Sequence, residues 1–362
     1  MSASEYPHNT PEETAGNLAH LRDLLTRYKT LEERLRQAML IELHSRGIVT
    51  IDDLYQEARN RAKHATAEES LPVGENVQVA RRWDDEEKRH IKALTLEHLA
   101  EALTRDEIDD LVNLTRKRER AHSLEEIARL GTVSFGVLAR KVRAFCRLPL
   151  GLTTLPEQDS VSVRLALIRQ LISEQLEFQS VAKQYLWIRD FDDLIDRIVG
   201  DDAGSGRIGG KAAGLVLGAK ILSQARRTDP AAPQMQLATP ESFYLRSDAM
   251  EQFVRHNGLH HVQDHKYRDL DEIRNDYPML LELMKNAPYP PDLVERLGQV
   301  LDRVGTHPLI VRSSSLLEDR FGTTFAGKYR SVFVGNQGTR EERLTELLGA
   351  IAEVYASSLH PD

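Results

Sequence analysis

Residues 207–222 read RIGGKAAGLVLGAKIL, and this stretch decides what the second half of the chain can become. Gly209, Gly210 and Lys211 stand directly before an apolar run in which Leu215, Leu217, Ala219, Ile221 and Leu222 recur with helical period. Glycine lets backbone N–H groups come close to an anion, and a helix N-terminus offers unpaired donors with a partial positive charge. Lys211 adds a full charge at that end, so the residues predict a phosphate cradle at the head of a helix. A Walker A loop is excluded: it needs glycine at 205 and serine or threonine at 212, where the chain has Ser205 and Ala212. The overlapping GSGRIG (204–209) satisfies the G-x-G-x-x-G pattern of dinucleotide sites. However, FDDLIDRIVG (191–200) before it reads as a helix rather than a buried strand, and a plain glycine turn ahead of a helix accounts for the same residues.

A second stretch, PLIVRSSSLLEDRFGTTFAGKYRSVFV (308–334), carries complementary chemistry. An apolar strand delivers Arg312 into the serine run Ser313 to Ser315. An acidic pair follows, Glu318 and Asp319, then a Gly/Thr turn, then Phe325-Ala326-Gly327 opening another strand. An arginine at a strand end grips phosphate oxygens bidentately, with hydroxyls and free amides completing the shell. Nearby carboxylates would hold the arginine or face a magnesium ion; a simple ion pair of Arg312 with Glu318 or Asp319 across a loop is the competing reading.

These two segments, GGKAAGL (209–215) and VRSSSLLEDRFGTTFAGKY (311–329), resemble the signature segments of the pyruvate-phosphate dikinase and phosphoenolpyruvate synthase family, in its N-terminal nucleotide-binding domain. Order and internal spacing both match, over roughly residues 195–362. Helical periodicity predicts an α-helical N-terminal domain (15–195, after a disordered tail 1–14), and the resemblance implies that the N-terminal subdomain of a split ATP-grasp module (196–362) follows it, an α+β fold overall. It implies that Lys211 and Arg312 clamp the ATP phosphates as the catalytic pair. Gly209 and Gly210 would allow close backbone approach, and Ser313, Ser314 and Ser331 would supply hydroxyls. Gly327 would lie beside the nucleotide, and Glu318 and Asp319 would form the acidic pair. The implied activity transfers the β-phosphate of ATP to a histidine on a separate, downstream domain. The implied cofactors are ATP and Mg2+, with the metal-binding carboxylates expected beyond Asp362, so that the 362 residues read as an N-terminal fragment that is inactive alone. The family glutamine after Phe-Ala-Gly is Lys328 here, and some 190 helical residues precede the Gly-Gly-Lys. A non-catalytic nucleotide- or partner-binding regulatory module remains the alternative.

Elsewhere the chain is that of an ordinary globular protein, with 41% hydrophobic and 29% charged residues. A net charge of −8 argues against a dedicated nucleic-acid binder. A single cysteine, Cys146, demands no oxidising compartment, and no apolar run or leader suggests a membrane, so the cytoplasm is the expected location. Helices are expected over 17–44, 50–62, 84–104, 104–120, 123–130, 135–146 and 161–186, with a loop over 64–80. After a boundary near 190–200 the composition predicts strands at 241–247, 308–314 and 328–334, interleaved with helices at 248–256, 291–304 and 340–358. In the last strand Tyr329, Ser331 and Phe333 share one face, with Arg330, Val332 and Val334 on the other.

Four further features carry weaker readings. His256, His260, His261 and His265 have metal-like i, i+4 spacing, but Asn257-Gly258 points to a surface turn. The basic stretches 116–131 and 138–147 have a helix-turn-helix flavour that ordinary packing also explains. Trp83 and Trp187 read as anchors of a helical core, and Cys146 as a small buried hydrophobe. The helical half specifies no ligand; partner docking, a regulatory cap and oligomerisation all remain open.

Overall fold

The computed structural model describes residues 9–68, 76–148, 155–228, 238–315, 319–320, 323–324 and 329–360, without the side chains of 64–84, 263, 265–267, 319–320 and 323–324. The chain divides into two compact units, Met1–Arg120 with Leu148–Pro156, and Ala121–Arg147 with Glu157–Asp362. Residues 121–147 and 157–195 thus fall in the same unit as the glycine-lysine stretch.

The first unit is built from α1 (Pro11–Arg27), a 3₁₀ turn (Lys29–Leu31), α2 (Glu32–Ser45), α3 (Ile51–Glu68), α4 (Asn76–Ala102) and the first part of α5 (Arg105–Arg129). Its core is largely leucine, as the low aromatic content requires, with Leu21, Leu35, Met39, Leu43, Leu99 and Leu103 fully buried. The helix expected over 17–44 is broken at Tyr28, whose backbone leaves the helical region. It also starts earlier, at Pro11, inside the stretch read as a tail. Thr10 and Glu13 cap each other there, and the Asn9 amide donates to the carbonyls of Ala100 and Leu103.

Thr50 caps α3, accepting the Asp53 N–H on its Oγ1 at 3.1 Å. At the head of α5, Glu107 accepts from the backbone N–H and hydroxyl of Thr104 and from the Arg46 guanidinium at 2.7 Å. The bond from Arg46 is the main cause holding the Glu107 carboxyl below its usual range of about 4.5. A depressed carboxyl contributes stability above its unfolded pKa and loses it as pH falls through the folded one. Glu107→Gln should therefore destabilise this unit at pH 7 by about 0.5–1 kcal/mol, as befits a half-exposed pair. Urea denaturation of variant and wild type should converge as the pH falls through the lowered pKa of the folded Glu107 carboxyl.

The second unit opens with the end of α5, then α6 (Phe135–Cys146), α7 (Glu157–Leu167), a π-helical turn (Ile168–Ile172), α8 (Leu176–Tyr185) and α9 (Asp190–Ile195). Two sequence expectations change here. The segments 104–120 and 123–130 form one continuous α5, because no proline or glycine interrupts them. The helix expected over 161–186 is instead split at Ser173, whose backbone turns extended after the π turn.

From residue 198 the chain runs β1 (Ile198–Val199), α10 (Gly210–Thr228), β2 (Tyr244–Leu245), α11 (Asp248–His256), a 3₁₀ segment (His260–Tyr267), α12 (Leu270–Asn286) and α13 (Pro291–Val304). It ends with β3 (Leu309–Arg312), β4 (Asp319–Arg320), β5 (Thr323–Thr324), β6 (Ser331–Val334) and α14 (Arg340–Ser357). The result is α+β, mostly helical. β1 is a correction: the sequence reads as helix to Gly200, but α9 stops at Ile195 and Ile198–Val199 are buried as a strand. A two-residue strand has no periodicity to read. Helix α12 is also unexpected from the sequence, since Pro278 lies inside it.

β1 and β2 pair in parallel, Ile198 opposite Tyr244, with α10 between them in sequence, so the glycine stretch occupies the turn of a β-α-β unit. β3 and β6 pair antiparallel with Arg312 opposite Ser331 and Ile310 opposite Phe333. Phe333 and Ile310 are exposed, whereas Leu309 and Val311 pack on the core; this is the alternation expected for 328–334. That core joins α11, α12, α13 and α14 through Phe253, Met284, Leu297, Leu301 and Ile351. Phe253 lies against Tyr289 with ring centroids 4.6 Å apart, and burial raises the Tyr289 hydroxyl well above its usual range.

Candidate functional site

The head of α10 is closed by a residue 102 positions further along the chain. Ser314 accepts the Gly210 N–H on its carbonyl oxygen at 3.0 Å and the Ala212 N–H on its Oγ at 2.9 Å. It therefore works as an N-cap supplied from outside the helix, satisfying donors that a helix start otherwise leaves unpaired. Gly209 makes this possible. Its φ is +84°, and a Cβ there would stand 1.8 Å from the Ser314 carbonyl oxygen. The close approach that the sequence assigns to an anion is used, at Gly209, by Ser314.

This contact brings the two singled-out stretches together. Lys211 is one residue beyond Gly210, in the first turn of α10, and half-buried. Arg312 ends β3, two residues before Ser314, hence within roughly 7 Å of it along the backbone. Its side chain is exposed, and among the described residues it has no hydrogen-bonded or ionic partner. Ser331 faces Arg312 across the ladder, so the two share the solvent face of the hairpin. Ser313 accepts the Ser315 N–H on its Oγ at 3.2 Å, which tightens the turn after the strand. Asp319 is placed by its backbone alone, opposite Thr324 in the β4–β5 pair. Glu318 and Gly327 lie outside the described residues.

The turn between β1 and α10 rests on residues that carry no sequence motif. Arg246, at the end of β2, is buried, and its guanidinium donates to the Asp201 carbonyl and lies 4.9 Å over the Phe135 ring. Its Nε and Nη1 have no hydrogen-bond partner, and burial lowers its pKa. Asp248, 3.8 Å from that Nε, accepts the Ser205 N–H at 3.0 Å. The glycines of GSGRIG follow from this packing: a Cβ on Gly204 would stand 2.1 Å from Asp248 Oδ2, and one on Gly206 2.5 Å from Oδ1. The turn is held on its other side as well. Phe135 and Gly136 donate to Gly204 and Asp202, Arg207 donates to the Arg169 carbonyl, and Ile208 donates to Leu171. The helices of 121–147 and 157–175 are thus part of the support of the glycine turn. The one sequence signal for Arg246 is a charged residue inside the strand reading ESFYLRS.

The weaker sequence features resolve locally. α11 ends at His256, and Asn257-Gly258 forms the expected turn, with His256, His260 and His261 exposed. The His265 side chain lies outside the described residues, as does that of Trp83. Trp187 is a correction: it is 51% exposed and covered by the Arg164 guanidinium at 4.5 Å, not sunk in a core. Burial, with Asp192 nearby, pushes the Cys146 thiol up to about 11, which leaves little thiolate at neutral pH. Among the described residues no helix is long and apolar enough to cross a membrane, and no group of three or more His, Cys, Asp or Glu is placed to hold a metal ion.

Residues 205–362 match the family described as pyruvate phosphate dikinase, AMP/ATP-binding domain. No curated protein and no solved structure matches the chain.

Proposed function

We propose that residues 205–362, which match the AMP/ATP-binding domain of pyruvate phosphate dikinase, bind a nucleotide whose phosphates sit between the first turn of α10 and the end of β3. The observation that supports this reading most is the pair of bonds from Gly210 and Ala212 to Ser314, which holds Lys211 and Arg312 on adjoining backbone. Each cation neutralises phosphate charge, Lys211 as a point charge and Arg312 as a bidentate fork. Ser331 adds a hydroxyl on the face of Arg312, and Ser313 orders the turn between them. Because Ser314 occupies the Gly210 and Ala212 donors, side-chain charge carries most of the phosphate recognition.

The wider reading is an ATP-dependent dikinase resembling phosphoenolpyruvate synthase, in which the β-phosphate passes to a histidine on a separate domain. In phosphoryl transfer the protein mainly positions the groups and offsets developing charge, which are the roles given to Lys211 and Arg312. Magnesium, when bound, would supply further neutralisation of phosphate charge. Among the described residues no group of three or more His, Cys, Asp or Glu is placed to hold it. The helical first unit is proposed as a partner-docking or regulatory element, and the cytoplasm as the site of action.

Calorimetric titration with ATP tests the clamp. Lys211→Ala and Arg312→Ala should each weaken binding roughly 10- to 100-fold, since charge-assisted hydrogen bonds contribute about 1.5–3 kcal/mol. Glu318→Gln should cost less than either. Unchanged affinity in the Arg312 variant would remove that residue from the site.

A further inference from the structure

A cavity of about 530 Å³ opens in the second unit, lined by one face of α6, one face of α13 and the chain from α9 into β1. It does not involve Lys211 or Arg312. From α6 come Arg140 and Arg143, and from α13 come Arg296 and Arg303, seven residues apart and therefore on the same side of the helix. Four guanidinium groups meet the two lining carboxylates, Asp196 and Asp202, and Glu241 at the edge, leaving one positive charge, that of Arg140, in surplus. Arg143 pairs with Asp196 at 2.7 Å and Arg296 with Asp202 at 2.9 Å. Arg303 is drawn to Glu241 at 3.2 Å and lies over the Phe243 ring. Arg140 has no ion pair or hydrogen bond among the described residues. The floor is apolar, formed by Phe135, Ala139, Ile198, Val199 and Val300. Arg140 and Arg143 belong to the basic stretch 138–147, whose charge the proposed nucleotide site does not use.

We propose that this cavity binds a small organic anion, a phosphate or carboxylate group carried on an apolar body, independently of the nucleotide. Like charges lining one concavity repel one another, and a guest anion relieves that repulsion while its body covers Phe135 and Val300. The volume lies within the range of small-molecule sites, roughly 300–1,000 Å³. Arginine forks suit either anion, so the shared chemistry is the class assigned. The position also has a consequence. Phe135 and Gly136 at the head of α6 donate to the turn that leads to Lys211, so an occupant pressed on Phe135 bears on that turn.

The probe is 1-naphthyl phosphate, titrated calorimetrically into the full chain, with inorganic phosphate as the comparison. The expected result is saturable binding, at least tenfold tighter than inorganic phosphate. Arg140→Glu, at an exposed and unpaired position, should weaken it tenfold or more, and so should Arg296→Gln, while Lys211→Ala should leave it unchanged. Three results would overturn the proposal: no binding at millimolar probe, binding indifferent to both arginine variants, or binding lost in Lys211→Ala. Equal affinity for inorganic phosphate would overturn the apolar part of the assignment. Failure here leaves the nucleotide reading intact, because that reading is tested through Lys211 and Arg312 with ATP.

Discussion

Gly209→Ala should lower the stability of the second unit by about 3 kcal/mol or more, and its thermal midpoint by roughly 6–12 °C. Two costs combine. A non-glycine residue at φ +84° is strained, and the new Cβ would collide with the Ser314 carbonyl oxygen, a backbone atom that cannot swing aside. The serine turn must withdraw, and the Gly210 and Ala212 donors then lose their partner, at about 1 kcal/mol for each bond. Gly214→Ala, five residues further along the same helix, provides the contrast. Gly214 is exposed, and nothing lies within 4 Å of a Cβ placed there, so alanine should stabilise by about 0.5–1 kcal/mol. The same chemical change should thus act with opposite sign within one and a half turns. Scanning calorimetry of both variants checks it; a Gly209 variant as stable as wild type would mean that Ser314 does not cap α10.

Arg246→Ala should cost about 2–4 kcal/mol, because the fully buried guanidinium is lost from the Asp201 carbonyl and from the Phe135 ring, and the partly exposed Asp248 loses its neighbouring cation. The cost falls on Asp248 and on the turn that the two side chains support. Arg246 is buried and holds the Asp201 carbonyl, and Asp248 holds the Ser205 N–H. In hydrogen exchange, the Ser205 and Arg207 amides should lose protection in the variant before the core helices do. Arg246→Met keeps volume without charge and should cost less in urea denaturation than the alanine change. If alanine proved neutral, the guanidinium would not be what shapes the glycine turn.

How far the sequence foretold this arrangement depends on the kind of interaction. Helices α10, α11, α13 and α14 and strands β3 and β6 were readable, because periodicity and turn residues are local signals. Lys211 at a helix head and Arg312 at a strand end were readable for the same reason. Their adjacency depends on Ser314, one of three serines in a row, and nothing local marks which of them reaches α10. The G-x-G-x-x-G pattern illustrates the opposite hazard: Gly204 and Gly206 satisfy a phosphate motif while their missing side chains make room for Asp248. Arg246 was invisible because a buried arginine in a strand looks like an exposed one until its neighbours are known. Strand β1 was hidden for want of length, and α12 by its internal proline. The break at Tyr28 and the split at Ser173 are backbone departures within stretches whose apolar spacing stays helical.

The proposed placement of the nucleotide phosphates at Lys211 is open to chemical capture. An ATP analogue with a lysine-reactive acyl group on its terminal phosphate labels the amine beside that phosphate, and peptide mass spectrometry locates the label. The expected outcome is acylation of Lys211, suppressed by excess ATP. Saturable labelling of other lysines with Lys211 unmodified would contradict the placement.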